Sequence, residues 1–335
     1  MIQLAKTATV SGQISISTCG RELNAPFGEG KQGNPQQFKW LLELLVVDFE
    51  FKLDQQRGRK SRPMPPADLR LLHSGDLAGA VELSRLAGWN QTIDDWEMLL
   101  RLEPQGCFGI ELDDRIVATT TLLCYGAQLA WIGMVLTNPE YRRMGFARRL
   151  VEAALERAGS LGINCVKLDA TPEGRPLYEK LGFETEQVVE RWSRDGCQTN
   201  RPAGPFLPLS PSSPELDREA FGAGRAALLE ELALRNPPHR TEEAYAFSRL
   251  GARRRYLGPC VAPEPKAARL VAEQILLEPA ETGWYWDLLS TNMEAARLAA
   301  ELGFVAQRRL ERMVIGNRLA KNDQLVYAIA GFELG

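Results

Sequence analysis

Trp131-Ile-Gly-Met-Val-Leu-Thr-Asn-Pro-Glu-Tyr-Arg-Arg-Met-Gly-Phe-Ala-Arg-Arg-Leu150 is the stretch whose reading decides the fold of this chain. Its apolar half, up to Leu136, has the pattern of a strand, and Asn138-Pro139-Glu140 that of a turn. Arg142-x-x-Gly145-x-Ala147 then opens a helix expected over 143–159, with apolar positions at Phe146, Leu150, Ala153, Ala154 and Ala158. The first turn of a helix presents unpaired N–H groups and the positive end of its dipole. Gly145 and the small Ala147 let a diphosphate approach that backbone, and Arg142, Arg143 and Arg148 add charge. A basic helix start facing water is the plain alternative. The combination of strand, proline turn, small residues and charge favours the cradle. No G-x-x-x-x-G-K-[ST] loop is present, which argues against a P-loop nucleotide binder.

Regular patterning surrounds this segment. A short strand at Leu69–His73 precedes two helices, one capped by Ser74 or Asp76 and running to Leu86, the other capped by Thr92 or Asp94 and running to Leu102. A hairpin follows (Cys107–Leu112 and Ile116–Tyr125), then the strand Leu129–Leu136. Past the basic helix come a strand at Ile163–Leu168, a helix at Pro172–Leu181 and a strand at Phe183–Trp192. Hairpins mixed with crossover helices imply an α/β fold with a mixed sheet. The expected domain spans 65–195, and a Pro/Gly/Ser-rich linker follows at 196–214. Residues 1–64 read as a poorly patterned extension with one helix candidate at 37–53. Translation starting at Met64 and a genuine flexible extension are both open for it.

Residues 215–335 repeat the first pattern. Leu177-Tyr-Glu-Lys-Leu-Gly-Phe183 has a counterpart in Leu298-Ala-Ala-Glu-Leu-Gly-Phe304, Arg149-Leu150-Val151 in Arg269-Leu270-Val271, and Val166-Lys-Leu-Asp169 in Trp284-Tyr-Trp-Asp287. Three matches in one order at nearly one spacing indicate a duplicated domain.

The motif Arg142-x-x-Gly145-x-Ala147, with Leu168-Asp-Ala-Thr-Pro-Glu-Gly-Arg-Pro-Leu-Tyr-Glu-Lys-Leu-Gly-Phe183 at the appropriate distance, resembles the GNAT superfamily of N-acetyltransferases. The resemblance covers about 66–195 and implies the GNAT fold, here as two copies in tandem. It also implies acetyl-CoA as co-substrate, with its diphosphate on Arg142, Arg143, Met144, Gly145, Phe146, Ala147 and Arg148. The backbone of Met134, Val135 and Leu136 would pair with the pantetheine arm, and an N–H there would polarise the thioester carbonyl. Tyr178 stands where the family often keeps a tyrosine that protonates the CoA sulfur; a phenol with a pKa of about 10 suits that role. Many relatives carry a Glu on strand four, and Trp131–Leu136 offers no carboxylate. Asp169 is then the candidate base, a water chain is an equal contender, and a structural role beside Thr171 is as good a reading of Asp169.

For the acceptor, Trp89, Asn90 and Trp96 could form a pocket for a small polar or aromatic amine, with Trp131 beside them. Core packing of both Trp89 and Trp96, with Asn90 as a cap, is the plain alternative. The second copy puts Pro263 and Pro265 where Arg143 and Gly145 would align, and proline has no N–H to offer a phosphate. Tyr178 maps there to Ala299. That copy reads as a degenerate domain covering the acceptor side and supplying Trp286 and Asp287.

Composition narrows the rest. The 335 residues carry 40 basic and 43 acidic side chains, for a formal charge of −3, with 44% hydrophobic residues. That balance speaks against a nucleic-acid or membrane surface. The most apolar run, Trp40–Phe49, is about half the length of a membrane span. Six scattered cysteines without a C-x-x-C pair, and no export signal, fit a reduced cytoplasmic protein. His73 and His239, far apart in sequence, are expected at the surface or at a helix start, and no metal site is expected. The function expected is acyl-CoA-dependent transfer, typically of acetyl, to a primary amine of a small molecule. A non-catalytic acyl-CoA sensor is the alternative.

Overall fold

Alternating Ile14 and Ile16 lie in the second of three short strands, Ala5–Ala8 (β1), Gln13–Thr18 (β2) and Arg21–Pro26 (β3), which pair antiparallel in that order. The computed structural model describes these strands and residues 67–196 and 213–335. The three strands belong to a unit of their own, Met1–Glu43, within the stretch read from sequence as a poorly patterned extension. The helix expected at 37–53, the Met64 start and most of the linker lie outside the described residues.

The remaining elements follow the expected order. Asp68–Leu71 (β4) leads to Leu77–Leu86 (α1) and Ile93–Leu102 (α2). Thr92 caps α2 in a capping box with Asp95, each side chain taking the other's backbone N–H. Cys107–Leu112 (β5), Arg115–Tyr125 (β6) and Leu129–Thr137 (β7) form an antiparallel meander. Phe146–Ser160 (α3), Cys165–Ala170 (β8), Arg175–Lys180 (α4) and Glu184–Arg194 (β9) complete the first half. The second half has Ser213–Phe221 (α5), Ala226–Arg235 (α6), His239–Arg240 (β10), Tyr245–Arg249 (β11) and Arg255–Val261 (β12). Pro265–Ile275 (α7), Trp284–Leu289 (β13), Met293–Glu301 (α8), Val305–Gly316 (β14) and Val326–Ala328 (β15) follow. The repeated Leu-Gly-Phe segments end α4 and α8 alike, with Gly182 and Gly303 at φ 90° and 83°.

Both halves share one mixed sheet, ordered β10-β11-β12-β13-β9-β14-β8-β7-β6-β5-β4. The order reveals an exchange: β14 of the second half lies between β8 and β9 of the first, and β9 lies between β13 and β14 of the second. Each half is completed by a strand from the other. The exchange is stapled by two related ion pairs in direct cross-strand register, Asp169–Arg312 and Asp287–Arg191. Asn90 ties the halves again, donating to the Arg254 carbonyl at 3.0 Å and accepting from the backbone N–H of Arg253 and Arg254 at 2.9 and 3.1 Å.

In the second half, β15 pairs antiparallel with β12, Cys260 facing Ala328 and Val261 facing Val326. The Trp286 indole donates to the Tyr327 carbonyl at 2.6 Å, and the Ile329 N–H donates to the Asp287 carbonyl at 3.1 Å. The chain's own strand thus fills the gap beside β12 and β13. His239, expected at the surface, is buried with Nε2 2.9 Å from Glu278.

Candidate active site

β7 and β8 run parallel, yet only Ala130–Val166 and Trp131–Lys167 are paired. Beyond them the strands part, and Leu168, Asp169 and Ala170 keep their pairing only on the other side, with Met313, Arg312 and Glu311 of β14. At the same level β7 carries a bulge. Thr119 faces Leu136 and Thr121 faces Gly133, so that Met134 and Val135 together oppose Thr120, and Met134 takes φ 49°. Thr119 and Thr120 hydroxyls hold the Met134 and Gly133 carbonyls at 2.9 and 3.2 Å. The bulge fixes the direction in which backbone groups face the gap.

The gap opens into a cleft of about 780 Å³. Its floor is the turn before α3. Pro139–Tyr141 forms a short 3-10 turn capped by Asn138, and Arg143 and Gly145 adopt φ 67° and 83°. Helix α3 therefore starts at Phe146, three residues later than the pattern predicts, with no side chain capping its N–H groups. Phe146 anchors the start by packing with Ile110, Val117, Ala118 and Leu150. Arg142, Arg143 and Gly145 remain exposed, and a β-carbon built on Gly145 meets nothing within 4 Å. Those features make an anion cradle open to a diphosphate. Met134, Val135, Leu136 and the whole Arg142–Arg148 turn, except Met144, border the cleft. Met144 packs instead against the core cluster beneath.

Tyr178 on α4 also borders the cleft, its ring edge-on to Phe183 at 5.9 Å and backed by Gly174. Burial pushes its phenol well above the usual tyrosine range, which keeps the proton on oxygen. Asp169 borders the cleft too, but both its oxygens accept from Arg312 at 2.9 Å. Burial raises its pKa against the pull of that guanidinium. With both oxygens engaged by Arg312, Asp169 ties the two halves together, which favours the structural of the two readings given for it.

Of the acceptor candidates, Trp89 alone lines the cleft, next to Gln91, whose buried Oε1 has no hydrogen-bond partner. Trp96 is core, its indole donating to Ser84 Oγ at 3.0 Å. Asn90 is spent on the Arg253–Arg254 backbone. Trp131 is buried and donates to the Phe332 carbonyl at 2.9 Å, under the Arg312 guanidinium. Trp286 fills the second half's core edge-on to Phe304. Asp287 is buried in its pair with Arg191 at 2.7 and 2.6 Å. The second half does reach the cleft, through Arg308, Leu310, Phe332 and Glu333, none of which any local motif marked. Among the described residues no cluster of three or more His, Cys, Asp or Glu could hold a metal, and no helix is long and apolar enough to cross a membrane.

The GNAT acetyltransferase family model matches residues 71–183, and a second GNAT acetyltransferase domain model matches 214–328. An uncharacterized N-acetyltransferase of Bacillus subtilis, YitH, is 31% identical over 175 residues, 49% of this chain and 60% of that protein. Holothin acyltransferase of a Pseudoalteromonas species is 26% identical over 147 residues, 43% of this chain and 49% of that one. The chain thus spans about half the length of the curated relatives it matches. A putative acetyltransferase from Pyrococcus horikoshii has the same fold, with a TM-score of 0.72 at 20% identity over 83% of this chain and 99% of that one. A GNAT structure from Sphaerobacter thermophilus superposes at 0.53 and 16% identity over 77% and 100%. Two family matches in tandem, laid over parting strands and an open cradle, make this chain a member of the GNAT acetyltransferase superfamily with two such domains.

Proposed function

We propose that this protein is an acyl-CoA-dependent N-acyltransferase that moves an acetyl group to the primary amine of a small molecule. The observation that carries the reading is the parting of β7 from β8 above the uncapped start of α3. A CoA diphosphate on the Arg142–Arg148 turn would send the pantetheine arm between the strands, where it pairs with Met134–Leu136 as an added strand. The thioester carbonyl then meets backbone N–H groups aimed by the bulge. Tyr178, held protonated, suits the departing thiolate. Trp89 and Phe332 give an aromatic wall, and the free Gln91 Oε1 a hydrogen-bond acceptor for a polar amine. A cleft lined by both halves, with Phe332 and Glu333 of the second lying over β7, favours a small acceptor over a protein chain.

Thiol release from acetyl-CoA, measured against arylalkylamines, polyamines, amino acids and lysine peptides, tests the reading. Transfer confined to lysine peptides would overturn the small-molecule acceptor, and transfer to none the enzymatic reading itself. The competing reading, a CoA-binding sensor, draws on the lack of a carboxylate on β7 and expects tight CoA binding without product.

A further inference from the structure

After β15 the chain turns back across the first half's cleft in the segment 329–335, which is fixed at many points. The Tyr125 hydroxyl donates to the Leu334 carbonyl, Trp131 to the Phe332 carbonyl, and Arg249 Nη1 to the Ala330 carbonyl at 2.8 Å. Gly335 N–H donates to the Gly331 carbonyl at 2.8 Å, closing the turn. The segment lies directly on β7: a β-carbon on Gly133 would stand 2.8 Å from the Glu333 carbonyl oxygen and 3.0 Å from its α-carbon. Position 133 therefore has no room for a side chain, and the space a strand carboxylate would need is occupied by Glu333. The Glu333 side chain is buried and borders the cleft with Met134 and Tyr178. Its Oε1 accepts from Arg249 Nη2 at 2.6 Å, whereas Oε2 has no hydrogen-bond partner. A buried, half-satisfied carboxylate in a reaction cleft is poised for a proton.

We infer that Glu333, delivered from the second half, is the proton acceptor for the amine in the first half's site. The inference rests on the acyltransferase reading above. The acceptor ammonium gives one proton to Oε2, and its freed lone pair forms the C–N bond. The C–S bond breaks with its electrons on sulfur. Tyr178 protonates that thiolate, and the second proton leaving nitrogen balances the one Tyr178 gives; Glu333 then returns its own to water. The charged and titratable groups around Glu333 are Arg249, Asp95, Arg191, Tyr256 and Tyr125. Burial raises its carboxyl above the ordinary glutamate value and Asp95 adds to this, while Arg249, the residue's own backbone N–H and Arg191 oppose it. A base raised above the ordinary carboxylate value is matched to an amine better than an unshifted one.

Glu333→Gln keeps the shape and the Arg249 contact and removes the base. With the fastest amine of the panel, kcat/KM at pH 7 is expected to fall roughly 100-fold. The loss should shrink as pH rises and free amine forms, Glu333→Asp should restore part of the rate, and acetyl-CoA affinity should stay within about twofold. A variant within threefold of wild type across the pH range, or one whose loss tracks weakened acetyl-CoA binding, overturns the inference. Difference infrared titration of the CoA-bound protein, wild type minus Glu333→Gln, needs no acceptor. A carboxyl signal titrating above the ordinary glutamate range supports the inference, and one already ionised below it overturns the inference. Failure of the amine panel alone counts against the function, so the two failures are distinguishable.

Discussion

Burial pushes the Tyr178 phenol above the ordinary tyrosine value, so its proton stays on oxygen, and on the acyltransferase reading it is the donor for the departing thiolate. Tyr178→Phe keeps the ring, its packing on Phe183 and the fold. It is expected to lower kcat by about 100-fold while leaving the Kd of acetyl-CoA nearly unchanged. Steady-state thiol release and calorimetric titration check the two halves of that statement; equal loss in both would make Tyr178 a packing residue. Gly145 makes a second residue-scale case. It and Gly126, in the turn between β6 and β7, both have positive φ and open space around them. Alanine at either should cost about 1 kcal/mol of stability, from the left-handed backbone alone. Only Gly145→Ala should also weaken CoA, by about tenfold or 1.4 kcal/mol, because only there does backbone direction aim the N–H groups. The place of Arg142, Gly145 and Tyr178 at the cleft was legible because the motifs that carry them are local in sequence. Trp96, Trp131 and Trp286 misled because a tryptophan looks the same in sequence whether it faces a ligand or donates its N–H inside a core.

At the scale of elements, the second half shows how a duplicated site closes. Where α3 opens on an exposed glycine turn, α7 starts with Pro265 directly after the Glu264 cap, so the donors are fewer and Pro263 adds none. Where β7 and β8 part on an open cleft, β15 takes the place beside β12. On the acyltransferase reading both changes would act against the same ligand, one at the phosphates and one at the arm. Calorimetry should therefore find one acetyl-CoA per chain, and Gly145→Ala should weaken that one site with no second isotherm beneath it. A stoichiometry of two would contradict the closing of the second copy by β15. The capping box of Thr92 and Asp95 and the paired Leu-Gly-Phe ends were readable from sequence, since caps are local. The exchange of β9 and β14 was not. Strand partners are chosen over more than a hundred residues, and both strands carry similar patterns, so the swapped and unswapped pairings look identical along the chain.

For the whole molecule, the exchange makes each half's integrity depend on the other. Asp169 and Asp287 hold corresponding positions in the two copies, and each is met by an arginine from the strand the other half contributes, Arg312 of β14 and Arg191 of β9. Asp287 lies in the half without a cradle, but its partner Arg191 borders the cleft, so only a loss of CoA binding that coincides with unfolding reports on the fold. Asp287→Asn leaves Arg191 buried without its counter-charge and should cost about 3–5 kcal/mol, and Asp169→Asn with Arg312 the same. Replacing both members of a pair by apolar residues should cost much less, since no charge is then stranded. Urea unfolding followed by circular dichroism and by loss of CoA binding should give one coincident transition for wild type. Asp287→Asn should move both curves together to lower urea. If CoA binding survived beyond the transition seen by circular dichroism, the halves would fold separately. The shared sheet would then be a contact between domains, and the delivery of Glu333 across it would lose its structural basis.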